Sequence, residues 1–280
     1  MPREWPCRVS ARMEPAAGAP ASWSVPALVT PRALAEWLGL QPRELDWFAD
    51  CLGRAALAPP GPLRHYTYRW LPRCSGGARL LEMPKARLKA IQRRLLHDLL
   101  DHIPPHDCAH AYRRGRSLAG YVAPHAGKAV VLRFDLRDFF PSIRRARVHA
   151  LFRTAGYPPA VARLLAGLCT NVVPRDVLDA ADRGPYSLPH LPQGAPTSPA
   201  LANLCAWRLD CRLAALAESL RAAYTRYADD LAFSGGVELE RSARRFQVLV
   251  CRIALEEGFE VHTRKSRFMR QGVQIGRAHV

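Results

Sequence analysis

The chain has 280 residues, 49% of them hydrophobic, with a formal net charge of +17 and a pI near 10.3. That length holds one large domain or two modest ones, and with no 18-residue apolar run it offers no membrane-spanning helix, while Glu4, Trp5 and Pro6 do not follow the charged-then-apolar order of a secretory signal. The arginines are spread along the whole chain and favour a polyanionic partner, nucleic acid by default, although the abundance of Ala, Arg, Pro and Gly also fits a GC-rich coding bias.

Residues 1–26, rich in Pro, Ala and Ser, read as disordered or as a mis-assigned start. Residues 27–62 form an N-terminal helical segment with a linker. Two short helices are expected from Pro31, the first capped by Thr30 with Pro31 at its first position. Leu34, Trp37 and Leu38 make one apolar face; Leu45, Phe48 and Leu52 make another. The linker is APPGP at 58–62. His65 to Trp70 predicts a strand, Ser75-Gly76-Gly77 a turn and Arg79 to Met83 the returning strand. This basic hairpin carries Arg73 and Arg79 and is either a phosphate clamp or a solvated charged surface.

Residues 85–103 predict an amphipathic helix with Leu88, Ile91, Leu95, Leu99 and Ile103 on one face, stopped by Pro104-Pro105. His102, His106 and His110 recur every four residues, but the prolines interrupt that face and the three read as surface histidines. Arg113, Arg114, Arg116 and Lys128, interleaved with Tyr112 and Tyr121, combine charge with stacking rings as a single-stranded template requires. Residues 129–135, AVVLRFD, predict a buried strand ending in Asp135, where a carboxylate is poorly placed for a structural role. Phe139-Phe140 beside it forms an apolar wall. Helices follow over 144–155 and 158–170, then a loop over 171–190. LPQGAPTSP turns into a helix capped by Thr197 or Ser198, with Pro199 at its first position, running to about Leu220. A helix over 238–257 ends at Gly258, and a last strand at 259–261 leads into the basic run HTRKSRFMR. Eight cysteines, with no C-x-x-C pair and no zinc spacing, read as reduced, mostly buried thiols of a cytoplasmic protein.

The chain is organised around YTRYADDLAFS, residues 224–234. Asp229 and Asp230 sit between two short runs of aromatic, β-branched and aliphatic residues, which predicts a β-hairpin with an acidic tip although no Asn-Gly or Asp-Gly marks the turn. Two carboxylates about 4 Å apart at an effective dielectric of about 20 repel by roughly 4 kcal/mol. Such a pair stays ionised beside a cation, or one member takes a proton. Hard oxygen donors of this kind suit Mg²⁺, which is held by one or two carboxylates together with substrate phosphates.

Three stretches in order, FDLRDFF at 134–140, LPQGAPTSP at 191–199 and YADD at 227–230, resemble the palm motifs of reverse transcriptases. Upstream, SGGAR, LKAIQRRLL and RRGRS resemble that family's finger motifs in the bacterial, retron-type form, so the resemblance runs from about His65 to Met269. It implies an α+β fold: right-hand polymerase fingers and palm, the palm a ferredoxin-like antiparallel sheet backed by helices, within a fingers/palm domain at 63–274. It implies RNA-directed DNA synthesis on an RNA template from a DNA or RNA primer with dNTPs, using two Mg²⁺ ions, for which Mn²⁺ can substitute. Asp135 and Asp229 are then the main metal ligands, Asp230 a more peripheral carboxylate, and the Leu136 carbonyl a further ligand. Phe140 corresponds to the aromatic gate that excludes a 2′-hydroxyl. Gln193 and Gly194 correspond to the nucleotide pocket, Arg79 and Arg73 to triphosphate contacts, and Lys265 to the group that protonates pyrophosphate. Tyr227 and Ala228 lie near the primer terminus, and Arg113, Arg114 and Arg116 along the template.

Retron-type enzymes further imply a cognate structured non-coding RNA and a role in defence against phage. Group II intron-like or unassigned bacterial reverse transcriptases remain alternatives, as does an inactive RNA-binding remnant. Of the retron element Asn-Ala-x-x-His, the stretch Tyr121 to His125 keeps the histidine. Residues 275–280, IGRAHV, match the translation of a common sequencing adapter. The genuine reading frame is therefore expected to leave the sequenced fragment near Gln274, with the thumb absent.

Overall fold

In a computed structural model, residue 13 and residues 23–72, 78–178 and 183–270 are described. The expectations for Arg73, for the Ser75-Gly76-Gly77 turn, for most of 1–26 and for 275–280 lie outside these residues. The helices are α1 (Pro31–Leu38), α2 (Pro42–Ala49), α3 (Ala86–Asp98), α4 (Leu118–Val122), α5 (Phe139–Ser142), α6 (Arg145–Thr154), α7 (Pro159–Cys169), α8 (Arg183–Tyr186), α9 (Ser198–Cys205), α10 (Trp207–Glu218) and α11 (Val237–Glu256). The strands are β1 (Tyr66–Pro72), β2 (Ala78–Pro84), β3 (Val130–Arg137), β4 (Ala223–Tyr227), β5 (Asp230–Gly235), β6 (Glu260–Val261) and β7 (Arg267–Arg270). They group into two compact units, each made of two chain segments: Met1–Ile103 with Arg144–Thr197, and Pro104–Ile143 with Ser198–Val280.

In the first unit the N-terminal helices start as their residues dictate. The Ala33 amide donates to Thr30 Oγ1 at 3.1 Å, Pro31 occupies the first turn, and Gly39 closes α1 at φ +67°. Leu34, Leu38, Leu45 and Phe48 are buried as expected. Leu52 instead lies exposed beyond the end of α2, and Trp37 is half-buried with the Arg94 guanidinium 5.1 Å from its ring. α1 and α2 pack against α7, and Gly167 lets the end of α2 in close: a Cβ there would sit 2.2 Å from the Ala49 carbonyl oxygen. Gly167→Ala is expected to destabilise the protein by about 1–3 kcal/mol through overpacking, read as a lower denaturant midpoint.

α3 ends at Asp98, earlier than the apolar period predicts. Leu99 leaves helical geometry at φ −133°, and a 3₁₀ turn, Leu100–His102, brings Ile103 into the core by another route. β1 and β2 pair antiparallel, with Tyr66 opposite Pro84 and Trp70 opposite Leu80. The hairpin is not simply solvated. Leu80 and Trp70 pack on Val173, Leu178 and Tyr186, so described residues of the stretch read as a loop over 171–190 cover the hairpin, and four of them form α8.

The second unit is built on an antiparallel sheet with β3 at its centre. β5 pairs with one edge of β3; β7 and β6 pair in succession with the other. β3 is not buried on both faces. Val130, Leu132, Phe134 and Leu136 point into the core, and Val131, Arg133, Asp135 and Arg137 alternate onto the opposite face. The core face is covered by α10 and α11, with Phe233 stacked on Tyr224 at 4.7 Å and edge-on to Phe246 at 5.0 Å. The helix expected to run unbroken to Leu220 is interrupted at Ala206, which separates α9 from α10.

Candidate active site

β4 and β5 form the predicted hairpin, closed by a two-residue turn of Ala228 and Asp229 with Tyr227 paired to Asp230. Ala228 sits at φ +56°, a left-handed conformation that costs a non-glycine residue about 1–2 kcal/mol. Its carbonyl accepts from Arg226 Nη1 at 3.1 Å, which holds the strained turn from the core side. Across the sheet Asp135 and Asp230 are direct partners of β3 and β5, and the Leu136 amide donates to the Asp229 carbonyl at 2.9 Å. Asp135, Asp229 and Asp230 thus converge at one end of the sheet, although 94 positions separate Asp135 from Asp229 in the chain.

The three carboxylates are not equivalent. Asp230 accepts a bidentate pair from Arg133, at 3.0 Å from Nε and 2.7 Å from Nη2. Both oxygens of Asp135 lie 3.3 Å from Lys265 Nζ. Asp229 sits deeper, and burial, followed by the charges of Asp230 and Asp135, raises its pKa to about 6. Burial is the larger cause, and the repulsion that adjacent aspartates predict adds to it at the hairpin tip.

Around this cluster, Phe139 is buried against Phe259 at 5.6 Å, while Phe140 remains partly exposed with its ring 6.2 Å from Tyr112. The Tyr227 ring packs 5.6 Å from Tyr121. Arg113 and Arg116 both reach Asp107, at 3.3 and 3.4 Å, and Arg114 is exposed. His102 is exposed and His106 half-buried, but His110 is only 6% exposed, which corrects its reading as a surface group. The cause is a short parallel bridge: the His110 amide donates to the Arg226 carbonyl at 2.9 Å and draws the chain along the edge of β4.

Arg79, Gln193 and Gly194 belong to the first unit. Arg79 is exposed on β2. The Gln193 carbonyl accepts from the Glu82 amide at 2.9 Å, and Gly194, at φ +130°, lies so close to β2 that a Cβ would sit 3.0 Å from the Glu82 carbonyl oxygen. Glu82 is fully buried. Its carboxylate meets His190 Nε2 at 2.9 Å and accepts from Asn171 Nδ2 at 2.7 Å. Residue reading did not single out Glu82, His190 or Asn171. The available signal was phase, since Glu82 falls on the same strand face as buried Leu80.

The sequence profile of the family described as "Reverse transcriptase (RNA-dependent DNA polymerase)" matches residues 71–275. The chain belongs to the reverse transcriptase family. It is 45% identical over 225 residues to the Retron Mx65 reverse transcriptase of Myxococcus xanthus, covering 76% of this chain and 50% of that one. Against the Retron Mx162 reverse transcriptase of the same organism it is 38% identical over 256 residues, 86% of this chain and 51% of the relative. Against the Retron Ec86 reverse transcriptase of Escherichia coli it is 34% identical over 158 residues, 56% and 44% respectively. It is a retron-type member, and it spans about half the length of these curated relatives.

Divalent-metal catalysis is implied by this family, and the donor set of this chain fits it. Carboxylate oxygens are hard ligands, and the charge crowded onto Asp229 is what a cation would relieve. A second group of ligand types among the described residues, His106, Cys108 and Asp210, also converges, with ligand atoms within 4.8 Å of one another. It does not fit a metal. Asp210 is already committed to Arg226 and Tyr224, and burial, with the charge of Asp210 next, pushes the Cys108 thiol well above its usual range. No described helix of the chain is long and apolar enough to cross a membrane.

Proposed function

We propose that this chain carries the fingers and palm of a cytoplasmic retron-type RNA-directed DNA polymerase, with the β3–β5 unit as its ferredoxin-like palm. The observation that carries the reading is the cross-strand pairing of Asp135 with Asp230, with Asp229 at the adjoining tip. In this reading Asp135 and Asp229 are the principal ligands of two Mg²⁺ ions, with the Leu136 carbonyl and the more peripheral Asp230 completing the set. When bound, such a pair of ions stabilises the attacking 3′-hydroxyl oxygen and the departing pyrophosphate oxygen of an in-line displacement.

The chain's own residues do the rest. Arg79 and Arg73 neutralise the triphosphate; Gln193 and Gly194 bring backbone and amide groups against the incoming nucleotide. Phe140, partly exposed beside a buried Phe139, is free to lie under the sugar and exclude a 2′-hydroxyl. Ala228 leaves room for the new base pair, Tyr227 flanks the primer terminus, and Lys265 returns a proton to pyrophosphate. Arg113, Arg114 and Arg116 track the template, a structured non-coding RNA by analogy with the retron relatives, and the same analogy supports a role in defence against phage.

The test is primer extension by the full-length protein on an RNA template, with Asp229→Ala as control. Mg²⁺-dependent incorporation of dNTPs that the substitution abolishes supports the reading, and equal extension by the variant overturns it. Phe140→Ala is expected to reduce discrimination against ribonucleotides by about ten- to a hundredfold, the scale of removing one steric contact in a binding pocket. The ratio of kcat/KM for dNTP and NTP measures it.

A further inference from the structure

The catalytic hairpin is supported on the same face as its carboxylates by a short segment of α4 and the 3₁₀ turn Ala123–His125. Cross-strand pairing puts Thr225, Tyr227, Asp230, Ala232 and Ser234 on one face, since Tyr227 pairs with Asp230, Thr225 with Ala232 and Ala223 with Ser234. His125, 8% exposed, lies against that face and reaches both strands at once. Its Nε2 is 2.6 Å from Thr225 Oγ1 on β4, and its Nδ1 is 2.7 Å from Ser234 Oγ on β5.

The hydrogen positions follow from the network. The Thr225 hydroxyl donates to the Tyr121 carbonyl at 3.0 Å, so its oxygen is left to accept from His125 Nε2–H. Nδ1 is then bare and accepts from the Ser234 hydroxyl, whose other acceptor, the Pro124 carbonyl, is farther away at 3.4 Å. The result is one directed chain from Ser234 through His125 and Thr225 to the Tyr121 carbonyl, with every member satisfied. Burial, then the nearby charges of His110 and Lys128, lowers the His125 pKa to about 4, which keeps the ring neutral. With both nitrogens occupied the imidazole has nothing left to offer a nucleic acid or a metal.

We propose that His125 is a positioning residue for polymerisation: it staples β4 to β5 on the catalytic face and so sets where the Ala228-Asp229 tip stands relative to Asp135. The Tyr121 ring, 6.1 Å from His125 and 5.6 Å from Tyr227, extends the same support to the residue beside the tip. The kinetic part of this inference rests on the polymerase reading; the tautomer does not.

Two measurements test it on the full-length protein. Long-range ¹⁵N–¹H spectra of selectively labelled histidine should show His125 as the Nε2–H tautomer, and a Thr225→Val substitution should shift the Nε2 signal. An Nδ1–H tautomer, or a ring indifferent to Thr225→Val, overturns the proposal whether or not the protein polymerises. In primer extension, His125→Ala should lower kcat at least tenfold while KM for primer–template and for dNTP stays within twofold, with partial recovery on adding imidazole. His125→Gln, which keeps one donor and one acceptor, should retain more activity than the alanine variant and guards against simple misfolding. A raised KM for the RNA with unchanged kcat would make His125 a nucleic-acid contact and refute the positioning role. Loss of all extension in the unsubstituted protein would count against the polymerase reading and leave the spectroscopic result standing.

Discussion

Asp229→Asn is expected to abolish polymerisation and, in the absence of divalent ions, to make the protein more stable. The Asp229 carboxyl is raised from its ordinary 3.8 to about 6 by burial and by the charges of Asp230 and Asp135. A raised carboxylate favours the folded state while it is protonated. Its contribution is therefore complete below about pH 4 and is lost as pH climbs through about 6. At pH 8 the shift corresponds to about 2–3 kcal/mol of lost stability, after discounting for the partial exposure of the site. Asparagine carries no charge to desolvate and no repulsion to bear. Urea unfolding in a chelator should place the variant above the parent by about this amount at pH 8 and level with it near pH 4. Primer extension should fall by about a thousandfold or more, the scale of losing one fixed electrostatic partner of the reacting groups. A variant less stable than the parent at pH 8 would show that burial and like charge at the tip are not what raise Asp229. The expected pairing of gain and loss is the stability–activity trade-off of a site whose charges are held together for function.

The second large effect is expected behind the hairpin. Arg226 is fully buried and gives Nε and Nη2 to the two oxygens of Asp210, at 2.8 and 2.6 Å, while Nη1 reaches Asn203 at 2.9 Å and the Ala228 carbonyl at 3.1 Å. Tyr224 adds a donor to Asp210 at 2.9 Å. Asp210→Ala strands a guanidinium in the core and should cost about 3–5 kcal/mol. Replacing both partners, as Arg226→Met with Asp210→Leu, should recover most of that stability, because no buried charge then lacks its partner. Activity should not recover with it, since the Ala228 carbonyl has lost the donor that holds the turn. Denaturant midpoints and extension rates of the two single variants and the double variant decide this. A double variant as unstable as Asp210→Ala would show that packing, and not charge, is what the pair contributes.

What could be read from the residues follows the range over which each signal acts. The hairpin of residues 224–234, the caps at Thr30 and Pro31 and the helices expected over 144–155, 158–170 and 238–257 rest on local periodicity and appear within a residue or two of their expected limits. The Asp135–Asp229 constellation was legible as a set of spaced motifs, because each carboxylate sits in a distinctive local setting. The breaks at Leu99 and Ala206 were not, since tertiary packing overrides a helical period that the residues themselves sustain. Nor were the buried polar pairs. Arg133 on β3 and Arg226 on β4 are two arginines of one sheet, with β5 between their strands. Arg133 points to the carboxylate face and binds Asp230; Arg226 points inward and binds Asp210, whose position on α10 no strand pattern announces. Alternation with Tyr224 marks Arg226 as inward-facing; naming its partner requires the fold.

The short bridge between Ala109 and Arg226 has a consequence of its own. β4 is the outermost strand on its side of the sheet, and such a border ordinarily invites strand addition from a second molecule. Here the Arg226 amide is taken by the Cys108 carbonyl at 2.8 Å, and the Arg226 carbonyl by the His110 amide. The midpoint of the border is thereby spent on the protein's own loop, three residues before Arg113, the first of three arginines at 113, 114 and 116. The part of the loop that guards against self-adhesion and the part that carries these arginines are neighbours, so shortening that loop to trim its charge would also uncover a sticky seam.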